Sequence, residues 1–219
     1  MFFRLYYIFP LLLLTTLMFG QEKFYQMPDD QIFPEEIYTQ IRPQIIKSGA
    51  IIMLYDSLQR NDTTFYRVGI KPDYSKQRNP YKKFMNQIGE KFPLELFGIE
   101  KSDKPIFINF WFTSCAPCIK EIPDLNELAA EYENRARFVA ITFNTEAQVE
   151  KFLEARPINF EHITNQNKAL SEYGVRSYPM NILIDKNANI LYVDGMLNYT
   201  KWEVEMLLDR ELGENKLQL

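Results

Sequence analysis

The sequence predicts an α/β protein in which one mixed β-sheet is covered by helices on both faces. Between Pro105 and Gly195, short apolar runs alternate with stretches whose apolar residues recur at helical spacing. The last two runs are joined by a polar turn, KNAN, as in a hairpin. Strand–helix–strand units followed by a hairpin and a final helix pack as a mixed sheet between helices.

The individual elements follow from these two patterns. The near-continuous apolar run Pro105–Phe112 is typical of a strand buried on both faces. Cys115–Tyr132 carries an apolar stripe at helical spacing, and Gly174 suits the end of a later helix. Further strands are predicted at Arg137–Phe143, Asn159–Ile163, Met180–Asp185 and Ile190–Gly195, and further helices at Glu146–Ala155, Lys168–Tyr173 and Lys201–Leu212.

Residues 21–85 lack the alternating strand and helix pattern of the later chain and are predicted to form an N-terminal extension. The main domain is predicted at residues 86–219. The extension should contain a β-hairpin of Ala50–Leu58 and Thr63–Ile70. The other expectations are a loop at Gln21–Pro34, a short helix at Glu35–Lys47 interrupted at Pro43, and a linker at Lys71–Pro80. The sequence assigns no function to this extension.

The first 20 residues have the layout of a secretory signal peptide. Arg4 precedes an apolar run from about Leu5 to Phe19, and the chain turns polar at Gln21. The run is shorter than the roughly 20 residues that a bilayer-spanning helix needs. Because Met18 is large for its place before the cleavage point, an uncleaved anchor is the alternative. Either way, the sequence predicts an extracytoplasmic, periplasmic protein.

Composition narrows the function further. Hydrophobic residues make up 46% of the chain and aromatic residues 15%, which is ample for a core. The net charge of −4 and the pI near 5.3 argue against nucleic acid as a partner, because nucleic-acid binding needs a concentrated basic surface.

The two cysteines of the chain, Cys115 and Cys118, stand in the stretch WFTSCAPCIKE. A structural disulfide here would close a very short loop and stabilise the fold little. Zinc would need two further ligands, and His162 is the only histidine. The pair is therefore predicted to carry redox chemistry, although C-x-x-C by itself also suits metal or a structural role.

The pair is predicted to lie between a strand and the helix that follows it, and this position favours redox chemistry. Partial positive charge and unpaired N–H groups at a helix N-terminus lower the pKa of a thiol, so Cys115 is predicted to be the attacking nucleophile. Cys118, turned inward and less exposed, would resolve the mixed disulfide. Pro117 suits the first helical turn because its missing N–H has no intrahelical partner there. No cysteine stands in a PxxxTxxC setting, which argues against a peroxiredoxin.

Three motifs in order resemble the TlpA/ResA family of exported, thioredoxin-like thiol–disulfide oxidoreductases. They are GEKFPLELFGIE, INFWFTSCAPCIKEIPDLNEL and YGVRSYPMNILIDKNANILYVDG, within Gly89–Gly213. The resemblance implies a thioredoxin-like fold and a redox-active Cys115–Cys118 disulfide that needs no organic cofactor or metal. It also implies disulfide-bearing exported proteins as substrates and a membrane partner that donates electrons.

The same resemblance implies roles for further residues. Pro179 is expected to be a cis proline that, with Tyr178 and Pro117, borders the substrate groove, although the residues alone also suit an ordinary proline at the start of a strand. Asn109 stands where cytoplasmic thioredoxins carry a buried acid, so it either tunes the thiol pKa or is only a satisfied buried amide. Pro123 matches a helix-kinking proline. Glu121 matches a frequent acid of the same helix in this family, although its place in the first turn favours a solvated carboxylate.

Two departures from the family pattern bear on the direction of electron flow. Ser114 replaces the usual tryptophan, and Ala116 leaves no donor side chain between the cysteines. The pKa of Cys115 is therefore expected to be lowered only moderately, as in thioredoxin, which favours a reductant. The alternatives are an oxidase or isomerase of the same fold, and a copper metallochaperone that uses His162 with both sulfurs.

Overall fold

Two β-sheets organise the protein in the computed structural model, which describes residues 21–29, 31–73, 79–197 and 200–214. The predicted signal segment, residues 1–20, lies outside the described residues. The strands are β1 (Glu22–Gln26), β2 (Ile32–Pro34), β3 (Ala50–Arg60), β4 (Thr63–Pro72), β5 (Ile106–Trp111), β6 (Arg137–Thr142), β7 (Glu161–Ile163), β8 (Met180–Ile184) and β9 (Ile190–Asp194). The helices are α1 (Glu35–Lys47), α2 (Lys82–Met85), α3 (Ala116–Lys120), α4 (Ile122–Glu131), α5 (Glu146–Ala155), α6 (Asn167–Tyr173) and α7 (Lys201–Leu212).

The five-stranded sheet has the order β7-β6-β5-β8-β9 and confirms the predicted thioredoxin-like fold. The central strand β5 pairs in parallel with β6 and antiparallel with β8. All six residues of β5 are buried, as expected for a strand that is covered on both faces.

The side chains of β5 point alternately into two hydrophobic cores, one on each face of the sheet. Phe107 and Trp111 belong to the core on one face, which includes the buried residues of α4 and Leu208 of α7. Ile108 and Phe110 belong to the core on the other face, with Leu170 of α6. Because successive side chains of a strand point to opposite faces, Asn109 shares the face of Phe107 and Trp111.

The predicted helix Cys115–Tyr132 is divided in two. α3 ends at Lys120, α4 begins at Ile122, and Glu121 lies between them. Pro123 sits in the first turn of α4, where its missing N–H would otherwise have bonded one turn back into α3. The expectation of a kink at Pro123 is confirmed.

The four-stranded sheet has the order β2-β1-β4-β3 and contains the predicted hairpin, β3 with β4. The loop predicted for Gln21–Pro34 is wrong, because β1 pairs in parallel with β4 and antiparallel with β2. β4 also extends through Lys71 and Pro72, which were expected in a linker. α1 continues through Pro43 rather than stopping there.

The extension contacts the five-stranded domain through Trp202 of α7. The Trp202 ring lies directly over Gly69 of β4, and its Nε1 donates to the Ile70 carbonyl at 3.3 Å. Beside this contact, Lys71 and Glu203 form an ion pair at 3.1 Å. In the described part of the chain, no helix combines the length and apolar character that crossing a bilayer demands.

We expect Gly69→Ala to weaken this contact, because a Cβ there would lie 2.1 Å from the Trp202 ring. Overpacking of this kind costs about 1–3 kcal/mol of unfolding free energy, which denaturant titration would measure. In a Trp202→Ala background the same substitution should cost less than about 0.5 kcal/mol, since coupling is confined to groups in contact. An equal cost in both backgrounds would contradict the contact.

Candidate active site

Cys115 and Cys118 lie at the start of α3, just after β5, as predicted. They form a disulfide with a Cα–Cα distance of 5.2 Å. Cys115 is the N-cap of α3, and its Sγ accepts a hydrogen bond from the Cys118 backbone N–H at 3.2 Å. Its own N–H donates to the Phe112 carbonyl at 3.0 Å, which fixes the turn between strand and helix. A helix N-terminus with an N–H aimed at sulfur favours a thiolate at Cys115 once the disulfide is reduced.

The predicted difference in exposure between the two cysteines is absent from the disulfide form. Cys115 and Cys118 are each 3% exposed and belong to the same hydrophobic core. The bond holds Cys115 against Cys118, and the residues that directly flank Cys115 in the chain, Ser114 and Ala116, are solvent-exposed, as is Pro117.

Glu121 is the residue of this site that sequence reasoning misjudged. It was expected in solvent, yet it has 0% exposure. Its position could have indicated this, because it stands three residues after Cys118 and four before Leu125, on the buried stripe of the helical pattern.

Hydrogen-bond donors surround the Glu121 carboxyl group. Oε1 accepts from Asn109 Nδ2 at 2.9 Å, and Oε2 accepts from Asn181 Nδ2 at 3.2 Å and from the Leu197 backbone N–H at 2.8 Å. Burial raises the pKa of Glu121 to about 7, although the bonds from Leu197, Asn181 and Asn109 each act to lower it. The result is a buried acid that changes protonation near neutral pH.

Asn109 is fully engaged in this network. It is 1% exposed, pairs across the sheet with Asn181, and donates to Asn181 Oδ1 at 2.8 Å as well as to Glu121. Asn181 in turn donates to the Gly195 carbonyl at 2.6 Å. These contacts join Asn109 to the acid near the disulfide, and its tuning of the thiol pKa stays a prediction.

The peptide bond between Tyr178 and Pro179 is cis, as expected. The last pair of the β5–β8 ladder is Phe110 with Met180, so Pro179 lies across from the end of β5, close to the turn that carries the disulfide. The Tyr178 ring packs edge-on against Phe112 at 5.3 Å between centroids. The structure therefore brings together the loop and the cysteine turn that the sequence singled out.

His162 lies in β7 and is engaged within the fold. Its Nε2 is 3.1 Å from the Ile158 carbonyl oxygen, and its ring packs edge-on against Trp111. Burial lowers its pKa. Within the described residues, no three His, Cys, Asp or Glu side chains cluster as metal ligands would.

A cysteine pair at the N-terminus of the helix after the central strand, with a cis proline opposite, defines a thioredoxin-fold redox protein. The chain belongs to the AhpC/TSA family, whose model matches residues 55–193, from within β3 to β9. Its relatives include ResA-type thiol–disulfide oxidoreductases, as the sequence motifs indicate.

Three similar proteins illustrate the match. The thioredoxin-like protein YneN of Bacillus subtilis is 32% identical over 127 residues, which cover 55% of this chain and 71% of YneN. The thiol–disulfide oxidoreductase ResA of Geobacillus thermodenitrificans is 37% identical over 90 residues, 40% of this chain and about half (52%) of ResA. The thioredoxin domain of a thiol–disulfide oxidoreductase from Bacteroides vulgatus superimposes with a TM-score of 0.45 at 20% identity, over 48% of this chain and 80% of that domain.

Glu121 should make the stability of the oxidised protein fall as the pH rises. Between pH 4.5 and 7 the native state holds a proton on Glu121 that the unfolded state has lost. The free energy of unfolding therefore falls by roughly 3 kcal/mol over this range. Above pH 7 this contribution is constant. Glu121→Gln cannot titrate, so the difference in unfolding free energy between wild type and variant should change by that amount across this range. Denaturant titrations at several pH values that gave parallel curves would refute the prediction.

Proposed function

We propose that this protein is an exported thiol–disulfide oxidoreductase that reduces disulfides in other extracytoplasmic proteins. The observation that carries the proposal is the Cys115–Cys118 disulfide at the start of α3, beside a cis-proline loop. The relatives that bear the name thiol–disulfide oxidoreductase support the same chemistry.

In the proposed reaction, the reduced protein donates two electrons through its sulfurs. The Cys115 thiolate attacks one sulfur of the substrate disulfide, forming a mixed disulfide and releasing a substrate thiolate that takes up a proton. Cys118 then loses its proton and attacks the Cys115 sulfur, which releases the second substrate thiol and restores the Cys115–Cys118 bond. The electrons pass through the sulfurs, so the reaction requires no organic cofactor and no metal.

Three features of the site suit this sequence of steps. The Cys118 N–H that donates to Cys115 Sγ, together with the helix dipole, stabilises the attacking thiolate. Glu121, three residues beyond Cys118 and with a pKa of about 7, would accept the proton that Cys118 must lose. Pro179, Tyr178 and Pro117 would border the groove in which the substrate chain lies.

Export and the direction of electron flow are parts of the same proposal. The apolar segment before Gln21 supports export to the periplasm, where a membrane partner would return electrons to Cys115 and Cys118. The absence of a donor side chain at Ala116 and Pro117 supports a reductant, because little stabilises the thiolate beyond the helix terminus. An oxidase or isomerase of the same fold is the alternative.

Variants of the two cysteines test the roles assigned to them. Cys118→Ser keeps the attacking thiol and loses the resolving one, so the reduced variant incubated with insulin should accumulate a mixed disulfide with an insulin chain, visible by mass spectrometry. Cys115→Ser should trap nothing and reduce insulin no faster than buffer alone. If Cys115→Ser traps substrate and Cys118→Ser does not, the assignment of attacking and resolving thiols is reversed.

The reduction potential of the pair tests the direction. Equilibration with dithiothreitol and glutathione buffers should place it nearer the thioredoxin value of about −270 mV than the DsbA value of about −120 mV. Ala116→His adds a donor between the cysteines and should move the potential toward the oxidising side. A wild-type potential close to that of DsbA would replace the reductant with an oxidase.

A further inference from the structure

A tyrosine from outside the thioredoxin-like sheet reaches the cis-proline loop. The Tyr81 hydroxyl donates to the Pro179 carbonyl oxygen at 2.9 Å, a buried hydrogen bond between residues 98 positions apart. Tyr81 stands immediately before α2, in the segment that the sequence placed in the N-terminal extension. No role was assigned to it from sequence.

The position of Tyr81 is fixed from several sides. Its N–H donates to Asn79 Oδ1 at 2.8 Å, and its carbonyl oxygen accepts from Phe84 and Met85, each at 2.9 Å. Its side chain packs over Gly195, where an added Cβ would lie 2.7 Å from the hydroxyl oxygen. A ring held in this way offers its hydroxyl to Pro179 in one orientation.

The bond matters because of where Pro179 lies. The carbonyl that Tyr81 holds belongs to the loop that faces the cysteine turn, and the preceding Tyr178 ring packs on Phe112 of that turn. Without the hydroxyl, the buried Pro179 carbonyl would lose this donor, and a buried acceptor left unsatisfied favours local rearrangement.

We propose that Tyr81 is a positioning residue of the substrate groove, which holds the Tyr178–Pro179 loop in the orientation that receives a protein substrate. This inference rests on the proposed function, since it concerns the same groove. It assigns the segment before the thioredoxin-like sheet a part in substrate docking. It assigns that segment no part in the exchange of electrons between sulfurs.

Tyr81→Phe tests the proposal because it removes the hydroxyl and keeps the ring over Gly195. We expect the KM for insulin to rise roughly five- to tenfold, the size of effect that one buried hydrogen bond produces, while kcat is retained. The rate of reduction of a small disulfide, 5,5′-dithiobis(2-nitrobenzoate), should stay within twofold of the wild-type rate. The reduction potential of the cysteine pair should be unchanged within experimental error. Neither quantity depends on docking along the loop.

Tyr173→Phe is the matched control. Tyr173 packs against the same hydrophobic core, and its buried hydroxyl has no hydrogen-bond partner among the residues that the structure describes. The same substitution there removes no bond, so the KM for insulin should not change. Equal values of KM for Tyr81→Phe and Tyr173→Phe would overturn the proposal, as would an equal loss of activity toward insulin and the small disulfide.

A second measurement separates this inference from the proposed function. Hydrogen–deuterium exchange of the peptide that contains Tyr178 and Met180 should be faster in Tyr81→Phe than in wild type or Tyr173→Phe, whether or not the protein is active. If wild type reduces neither disulfide, the proposed function fails, and this exchange decides whether Tyr81 positions the loop. Unchanged exchange overturns the positioning role in every case.

Should Tyr81→Phe not fold, Gly195→Ala applies the same test, since the added methyl group would displace the Tyr81 hydroxyl. It should raise the KM for insulin and speed exchange in the same peptide. If it folds and changes neither, Tyr81 has no part in docking.

Discussion

Burial of one carboxyl group beside the disulfide links the main parts of this fold. Glu121 has no solvent exposure, so the free energy of its ionised form depends on the donors that the protein supplies. Those donors come from β5 (Asn109), from β8 (Asn181) and from the backbone after β9 (Leu197). The register of β5 against β8 sets the first two, and the interruption between α3 and α4 sets the position of the acid itself.

The same arrangement connects structure to chemistry. A group whose pKa lies near 7 exchanges protons at neutral pH, and this one stands one helical turn from the resolving cysteine. The cost is stability, because the ionised acid is less well solvated in the native protein than in the unfolded chain. Perturbed acids of this kind concentrate where chemistry takes place. Because Cys118 and Glu121 are three residues apart, both side chains lie on the same buried side of the chain.

Among the contacts that the predicted N-terminal extension makes with the redox domain, two lie at well-separated points of the extension. Trp202 packs on Gly69 far along the chain from the cysteines, and Tyr81 bonds to Pro179 beside them. The first contact packs α7 against β4 through a large buried aromatic ring, and the second reaches a loop of the active site. Sequence similarity to the family also begins inside the extension, at residue 55.

The sequence by itself determined the elements whose signals are local. α5 and α7 have the predicted bounds, and a capping box of Thr145 and Gln148 marks the start of α5 because both partners lie within one turn. The cysteine pair could likewise be placed from an apolar strand followed by a helical stripe. Only the tertiary structure decided that β1 is a strand paired with β4, that Asn181 and Leu197 donate to the Glu121 carboxyl group, and that Tyr81 reaches Pro179. Each of these depends on a partner tens of residues away, and a pairing at that distance leaves no periodic pattern in the sequence.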